Sequence, residues 1–413
     1  MKALISILAL SVTASVLAAR PHLDLDTTSA EYQQFLSTQT KKNNNKMMEL
    51  DLEPEITRSM KMGQRLSQWI AKINETRTAT TAIRLTSRLT RTSHPMDKPS
   101  VYNPKIIGAD YNSILTTLPA DMKTVLTGTA ELPGTPGMDD AAFILLGRTV
   151  DRNYQSAARY KSLNPYREEY KQQAALDVRG YYYLNTNKIS ADDLKDVASI
   201  SADKLKLITD ALGRNCLNTG ADLSLCDSKV SEAVKNNMLG DLYNETIADA
   251  KANWNRFFLI PSNAKRTDII WSGNTMTVPF NTPSIAKFGP YLQDNIQDEW
   301  RFNSWALKLG FGTYANGPRL VFVSGVVPHV NGLGGNEITM DSNQPIEEYE
   351  SQWTIRHEFG HVLGFPDCYH EFFDEKLDAY VNYQLDVTDL MCSRAGNFKE
   401  RMYTELKETY GSN

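Results

Sequence analysis

The sequence predicts an α+β fold: a mostly helical N-terminal domain followed by a mixed domain of short strands and helices. Three observations lead there. Apolar residues recur at helical spacing from Asp139 to about Asn255. After residue 265 the pattern turns to short alternating runs separated by turn residues. Near the C-terminus a helix-length segment, Ile346 to Leu363, runs into Gly364 and Pro366, which stop a helix. With 413 residues the chain has room for two or three domains.

Residues 1–18 read as a secretory signal. Lys2 supplies the charged start, Leu4 to Ala14 the apolar run, and Val16-Leu17-Ala18 a small-residue cleavage site. The run is short for a membrane span, an uncleaved anchor being the alternative, and no stable membrane insertion is expected. The expected location is therefore extracellular or periplasmic. Net charge is −5 with no large basic patch, so nucleic acid is not an expected partner. Residues 19–138 read as a polar leader or pro-segment, partly disordered. Residues 19–60, with Lys41-Lys42-Asn43-Asn44-Asn45-Lys46, and residues 75–100, rich in Thr, Ser and Arg, are expected to be loosely ordered. An amphipathic helix is expected between them at 56–74, and a break at Gly128 to Gly137.

The helical domain is expected over 139–260. Asp139-Asp140 precedes an apolar run to Leu146, and Tyr166 to Val178 and Ser228 to Phe258 carry helical spacing. Ser190-Ala-Asp-Asp-Leu and Ser201-Ala-Asp-Lys-Leu each look like a capped helix start. Tyr181-Tyr182-Tyr183 reads as core or rim packing, with a ligand platform as the alternative.

The mixed domain is expected over 265–413. Asn274 to Phe280 alternates like a strand, and Ile285 to Phe302 reads as a helix with Phe288, Tyr291, Ile296 and Trp300 on a buried side. Trp305 to Phe311, Arg319 to Val327 and Glu337 to Ser342 read as strands, the last expected at an exposed sheet edge where an extended peptide would pair. The helix Ile346 to Leu363 and a final helix, Asn397 to Tyr410, complete the domain.

The helix ending at Leu363 contains His357-Glu358-Phe-Gly-His361. Histidines four apart share one helical face and can grip one Zn²⁺, with Glu358 placed as a general base. Gly364 suits a left-handed helix end, and Phe365-Pro366 then keeps the chain extended, so Asp367 can return as third ligand. Three protein ligands leave one coordination position for water. The bare His-Glu-x-x-His arises by chance in roughly one chain in a hundred of this length; Gly364 and Asp367 at fixed offsets make coincidence far rarer. Other third-ligand candidates are His370, Glu371, Asp374, Glu375 and Asp378. A second metal at His329 with Asp341 is a weaker reading, since a lone loop histidine is usually solvated.

With those residues in place, the chain resembles the metzincin clan of zinc endopeptidases, whose ligand pattern is His-Glu-x-x-His-x-x-Gly-x-x-His/Asp. The terminal Asp367 and the run from His361 to Cys368-Tyr369 look most like the snapalysin family of small secreted bacterial proteases. The resemblance covers roughly 265–413. It implies a twisted, mostly parallel sheet with an antiparallel edge strand, an active-site helix, a methionine turn and a C-terminal helix. Asp389-Leu390-Met391-Cys392-Ser393 is similar to that turn, with Met391 as the floor of the site. Where some clan members carry Tyr two residues past the methionine, this chain has Ser393.

Four cysteines in an exported chain imply two disulfides. Cys216 and Cys226, ten apart, are expected to pair locally. Four cysteines allow three connectivities; if the methionine turn lies beneath the metal, as the resemblance implies, Cys368 and Cys392 are expected to meet and staple the ligand loop to it. A Cys216 thiolate capping the metal is the alternative, disfavoured by the even count. The function expected is zinc-dependent hydrolysis of protein or peptide substrates. Two competing classes are an adhesion or binding protein with a structural metal, and a zinc hydrolase of another substrate such as a cell-wall amidase. A general base and an open coordination position argue against the first. The expected edge strand argues against the second.

Overall fold

The computed structural model describes residues 53–78, 80–86, 99–344, 346 and 348–411, with residues 31, 34 and 36. The expected signal at 1–18 and the polar run at 41–46 lie outside the described residues. The fold is mixed α+β, as the sequence predicts, but among the described residues the strands form three small sheets and not the one twisted, mostly parallel sheet that the resemblance implies.

In the N-terminal half, α1 (Pro54–Asn74) confirms the expected amphipathic helix, burying Met62, Leu66, Trp69 and Ile73. The strand β1 (Ser100–Tyr102) follows, then α2 (Pro104–Thr117), started by the Asn103 side chain accepting from Ile106 N. Next come α3 (Ala120–Thr127) and α4 (Asp140–Leu163). Asp139 caps α4 as its acidic pair suggests, accepting from Ala141 N and Ala142 N, but the helix runs 24 residues, well past Leu146. Its apolar side continues through Val150, Tyr154, Ala157 and Leu163.

The expected helix at Tyr166–Val178 is α5 (Arg167–Gln173) between two 3₁₀ turns. Then come α6 (Arg179–Thr186), α7 (Ala202–Leu217), α8 (Leu223–Lys235) and α9 (Leu239–Asn255). Ser201 begins α7, whereas Ser190 precedes only a 3₁₀ turn. Asn237, at φ 58°, splits the expected 228–258 helix into α8 and α9. Tyr182 stacks on Trp254 at 5.8 Å, so the tyrosine run serves packing. Cys216–Cys226 links α7 to α8.

The C-terminal half contains β2 (Ile270–Ser272), β3 (Thr275–Asn281), α10 (Phe288–Glu299), β4 (Arg301–Phe302) and β5 (Trp305–Gly312). Then follow β6 (Arg319–Val323), β7 (His329–Val330), β8 (Glu337–Asp341), α11 (Tyr349–Val362), β9 (Tyr369–Asp374), β10 (Ala379–Gln384) and α12 (Glu400–Tyr410). Strands β3 and β5 pair in parallel, as do β6 and β8. The two pairs touch where Asn281 N donates to Pro318 O at 2.8 Å.

One expectation is corrected here. The strand before the active helix, β8, is not an exposed edge: β6 pairs on one side and the short antiparallel β7 on the other. Four consecutive residues of β8, Ile338 to Asp341, are buried. The rim belongs to β7. A third sheet, β1-β10-β9, is fully antiparallel and joins the leader to the far end of the chain through Val101↔Val381 and Tyr102↔Tyr380.

Candidate metal centre

Helix α11 is gripped by α10. Buried Arg356 donates to Asn295 O at 3.0 Å and Asn295 Oδ1 at 2.8 Å, and pairs with Glu299 at 3.5 Å. Asn295 Nδ2 donates to Gln352 O, and the Trp300 indole N–H to Arg356 O. Phe359, Val362 and Leu363 are fully buried on the side facing the core. The opposite face carries His357 and His361, ring centroids 5.0 Å apart.

The helix stops where its sequence says it should. Gly364 has φ 93°, and Phe365 N bonds back to Gly360 O at 3.0 Å. A Cβ at Gly364 would lie 2.8 Å from Ile260 Cγ2, so packing and backbone both require glycine. The turn returns Asp367 to the histidines: Oδ1 lies 3.0 Å from His357 Nε2 and 3.2 Å from His361 Nε2. The three ligand atoms lie within 4.8 Å of one another, so this group could hold a metal ion.

The other ring nitrogens are spoken for. His357 Nδ1 lies 2.7 Å from Leu390 O, and His361 Nδ1 2.7 Å from Phe365 O. Carbonyls only accept, so each Nδ1 carries a proton and each Nε2 is left to face the centre, where its lone pair would serve a bound cation. Burial alone would lower the pKa of His361, but the Asp367 carboxylate and then Glu358 override it and push it to about 9 in the metal-free chain. Burial works to raise Asp367, yet the facing histidines hold it well below the usual carboxylate range. The site thus presents a fixed negative oxygen between two imidazoles, a donor set suited to a divalent cation.

Glu358 is buried, and its Oε2 has no hydrogen-bond partner among the described residues. Glu358 and His357 both line a cleft of about 800 Å³ between the N-terminal helices and the C-terminal half. A carboxylate oxygen without a partner beside three converging donors fits a site that takes a metal and a water.

Beneath the histidines lies the Met391 turn. Asp389 Oδ1 accepts from Met391 N at 2.9 Å, and Cys368 N donates to Met391 O at 3.1 Å. Met391 is fully buried, and a Cβ on Gly360 would fall 2.2 Å from its Sδ. The thioether therefore fills the notch that Gly360 leaves between the two histidines. Cys368 and Cys392 are bridged, as the resemblance implies, so the neighbouring Cys368, Asp389 and Cys392 cluster is a staple and not a second metal site.

The competing ligands are engaged elsewhere. His370 Nε2 lies 2.8 Å from Gln173 O, Glu371 pairs with Arg159, and Asp374 caps Lys376 N and Leu377 N. Glu375 pairs with Lys171 and Asp378 with Arg167. His329 is exposed with Nδ1 on Val327 O, while Asp341 is buried and accepts from Tyr154 and Gly325 N, so the two share no site. Two participants escaped the sequence reading. Burial and the nearby Asp367 carboxylate hold the proton of Tyr369, and Arg159 reaches its hydroxyl from α4 at 3.2 Å. Nothing local in the sequence joins residue 159 to residue 369.

No protein-family model, curated protein or solved structure matches the chain. Two disulfides fit an extracellular location. No helix among the described residues is long and apolar enough to cross a membrane.

Proposed function

We propose that this chain is a secreted zinc-dependent endopeptidase of the metzincin type, most similar to the snapalysins. One observation carries the reading: His357 Nε2, His361 Nε2 and Asp367 Oδ1 converge where His357 and Glu358 line an open cleft, and Glu358 Oε2 has no partner among the described residues. Two imidazoles and one carboxylate suit zinc, and three protein ligands leave a place for water, which a structural site would close with a fourth. Zinc bound there would polarise a scissile carbonyl and bring the pKa of a bound water to about 7.

The protein's own residues then divide the work. The Nδ1–H bonds to Leu390 O and Phe365 O keep both imidazoles oriented. Glu358 Oε2 takes the proton of the attacking water and passes it to the departing amine. Burial of the site keeps bulk water away from that transfer. Two parallel strand pairs, the helix-to-glycine turn and the methionine turn support the clan assignment. With β8 enclosed, peptide pairing is assigned to the rim strand β7, beside cleft residues Val327 and Pro328.

The test is digestion of unfolded casein by the full chain, with bound zinc quantified, for wild type and Glu358→Ala. The expected result is cleavage by wild type and none by the variant, both holding one zinc. No zinc in wild type would remove the ligand assignment. Digestion of cell-wall sacculi with casein untouched would move the enzyme to another substrate class.

A further inference from the structure

We infer that Arg159, on α4 of the N-terminal half, is a positioning residue of the metal centre, acting on Asp367 through Tyr369. The inference rests on the metal-site reading above. It makes the N-terminal helices a working part of the enzyme instead of a detachable pro-segment.

The geometry is specific to a guanidinium. Arg159 Nε donates to Glu371 Oε1 at 3.0 Å and Nη2 to Glu371 Oε2 at 2.5 Å, a two-pronged pair with Glu371 almost wholly buried. The same Nη2 donates to Tyr369 Oη at 3.2 Å, and the guanidinium lies 5.4 Å from the Tyr369 ring centre. Arginine has donors and no acceptor, so Tyr369 must accept from it. The single hydroxyl proton is then free to turn toward the Asp367 carboxylate, two residues back along the chain and close enough to hold that proton. The chain Arg159 to Tyr369 to Asp367 therefore runs in one direction, and Asn382 Nδ2, donating to Glu371 Oε1 at 3.2 Å, fixes its outer end. Asp367 sits on a loop after a glycine turn, where an unsupported carboxylate would sample several rotamers. Losing a group that holds a ligand in its coordinating orientation typically weakens metal binding about 10- to 100-fold.

Two further contacts bind the same N-terminal half to the C-terminal half. Strand β1 pairs with β10, the neighbour of the strand that begins with Tyr369. Glu348, which starts α11, accepts from Leu85 N at 2.8 Å and Thr86 N at 3.0 Å. Loss of this half would take the guanidinium from Glu371 and leave Tyr369 free to turn its proton away.

The experiment uses cobalt(II) on the full chain, reading its visible absorption band and its affinity by chelator competition. Three proteins are compared with wild type. Tyr369→Phe keeps the ion pair and cuts the link. Arg159→Met with Glu371→Met removes the pair without leaving a buried charge. Arg159→Lys keeps the charge and loses the fork. The expected result is one cobalt per chain throughout, with affinity about 10- to 100-fold weaker and a changed band in the first two. Lysine is expected to recover only part of the loss. Unchanged affinity and band in both Tyr369→Phe and the double variant, with wild type binding normally, would overturn this inference and leave the metal site standing. Wild type that binds no cobalt would overturn both.

Discussion

Replacing Asp151 with asparagine is expected to stabilise the protein, and to do so more at alkaline than at acidic pH. Asp151 lies on α4 where that helix meets the start of α11. Its carboxylate accepts from Gln155 Nε2 at 2.7 Å and Gln344 Nε2 at 3.4 Å, and Gln155 also reaches Glu350 at 3.3 Å. Burial, then the charge of Glu350 and of Glu348, raise its pKa from 3.8 to about 7; Arg394 pairs with Glu350 at 3.0 Å, and among the described residues no cation pairs with Asp151. The folded chain thus holds this proton more tightly than the unfolded chain. The contribution of the group is fully present below the unfolded value and is lost as pH rises through about 7. The shift of about three units corresponds to at most ~4 kcal/mol of lost stability at about pH 8, and to roughly 1.6 kcal/mol at about pH 5. Asp151 is partly accessible to water, which lowers both figures in proportion. Asparagine keeps an acceptor for the glutamines and offers an amide donor to Glu350. Thermal or denaturant unfolding of wild type and Asp151→Asn, with chelator present so that metal release does not enter, measures the difference at the two pH values. Equal gains at both, or a variant less stable at both, would refute the reasoning.

Two other perturbations follow from the centre's construction. Joint replacement of Cys368 and Cys392 by alanine opens a loop with a sequence separation of 24 and is expected to reduce stability by about 3.5 kcal/mol on the chain-entropy argument, with zinc affinity falling because Asp367 and the Met391 turn are no longer tied. Unfolding midpoints and chelator competition read the two effects separately. Gly360→Ala would gain about 1 kcal/mol of helix propensity, but its Cβ would fall 2.2 Å from Met391 Sδ. The expected net result is a loss of about 1–3 kcal/mol from overpacking and weaker metal binding. An alanine variant as stable as wild type would show that Met391 is not wedged there.

The convergence of the candidate ligands was legible because it is local. His357, Glu358 and His361 lie within one helical turn or so, and Gly364 and Asp367 within the turn that ends it, so helical geometry and one left-handed residue are enough to bring the ligand atoms together. Count and context pointed to two disulfides and to the local Cys216–Cys226 pair, while Cys368–Cys392 followed only from the likeness to a methionine turn. Beyond that range the sequence determined element types and left partners open. Alternation says which side of a strand is buried but not which strand lies beside it, and so the rim was misplaced on β8. Thr339 and Asp341 are polar residues in that strand, and buried Asp341 accepts not only from nearby Asn343 N and Gly325 N but from Tyr154 on α4, far away in sequence. The pairing of β1 with β10, and the reach of Arg159 to Tyr369, join segments more than 200 residues apart. Such contacts are decided by the packing of the whole chain, because closing so long a loop is favourable only when many buried contacts form together.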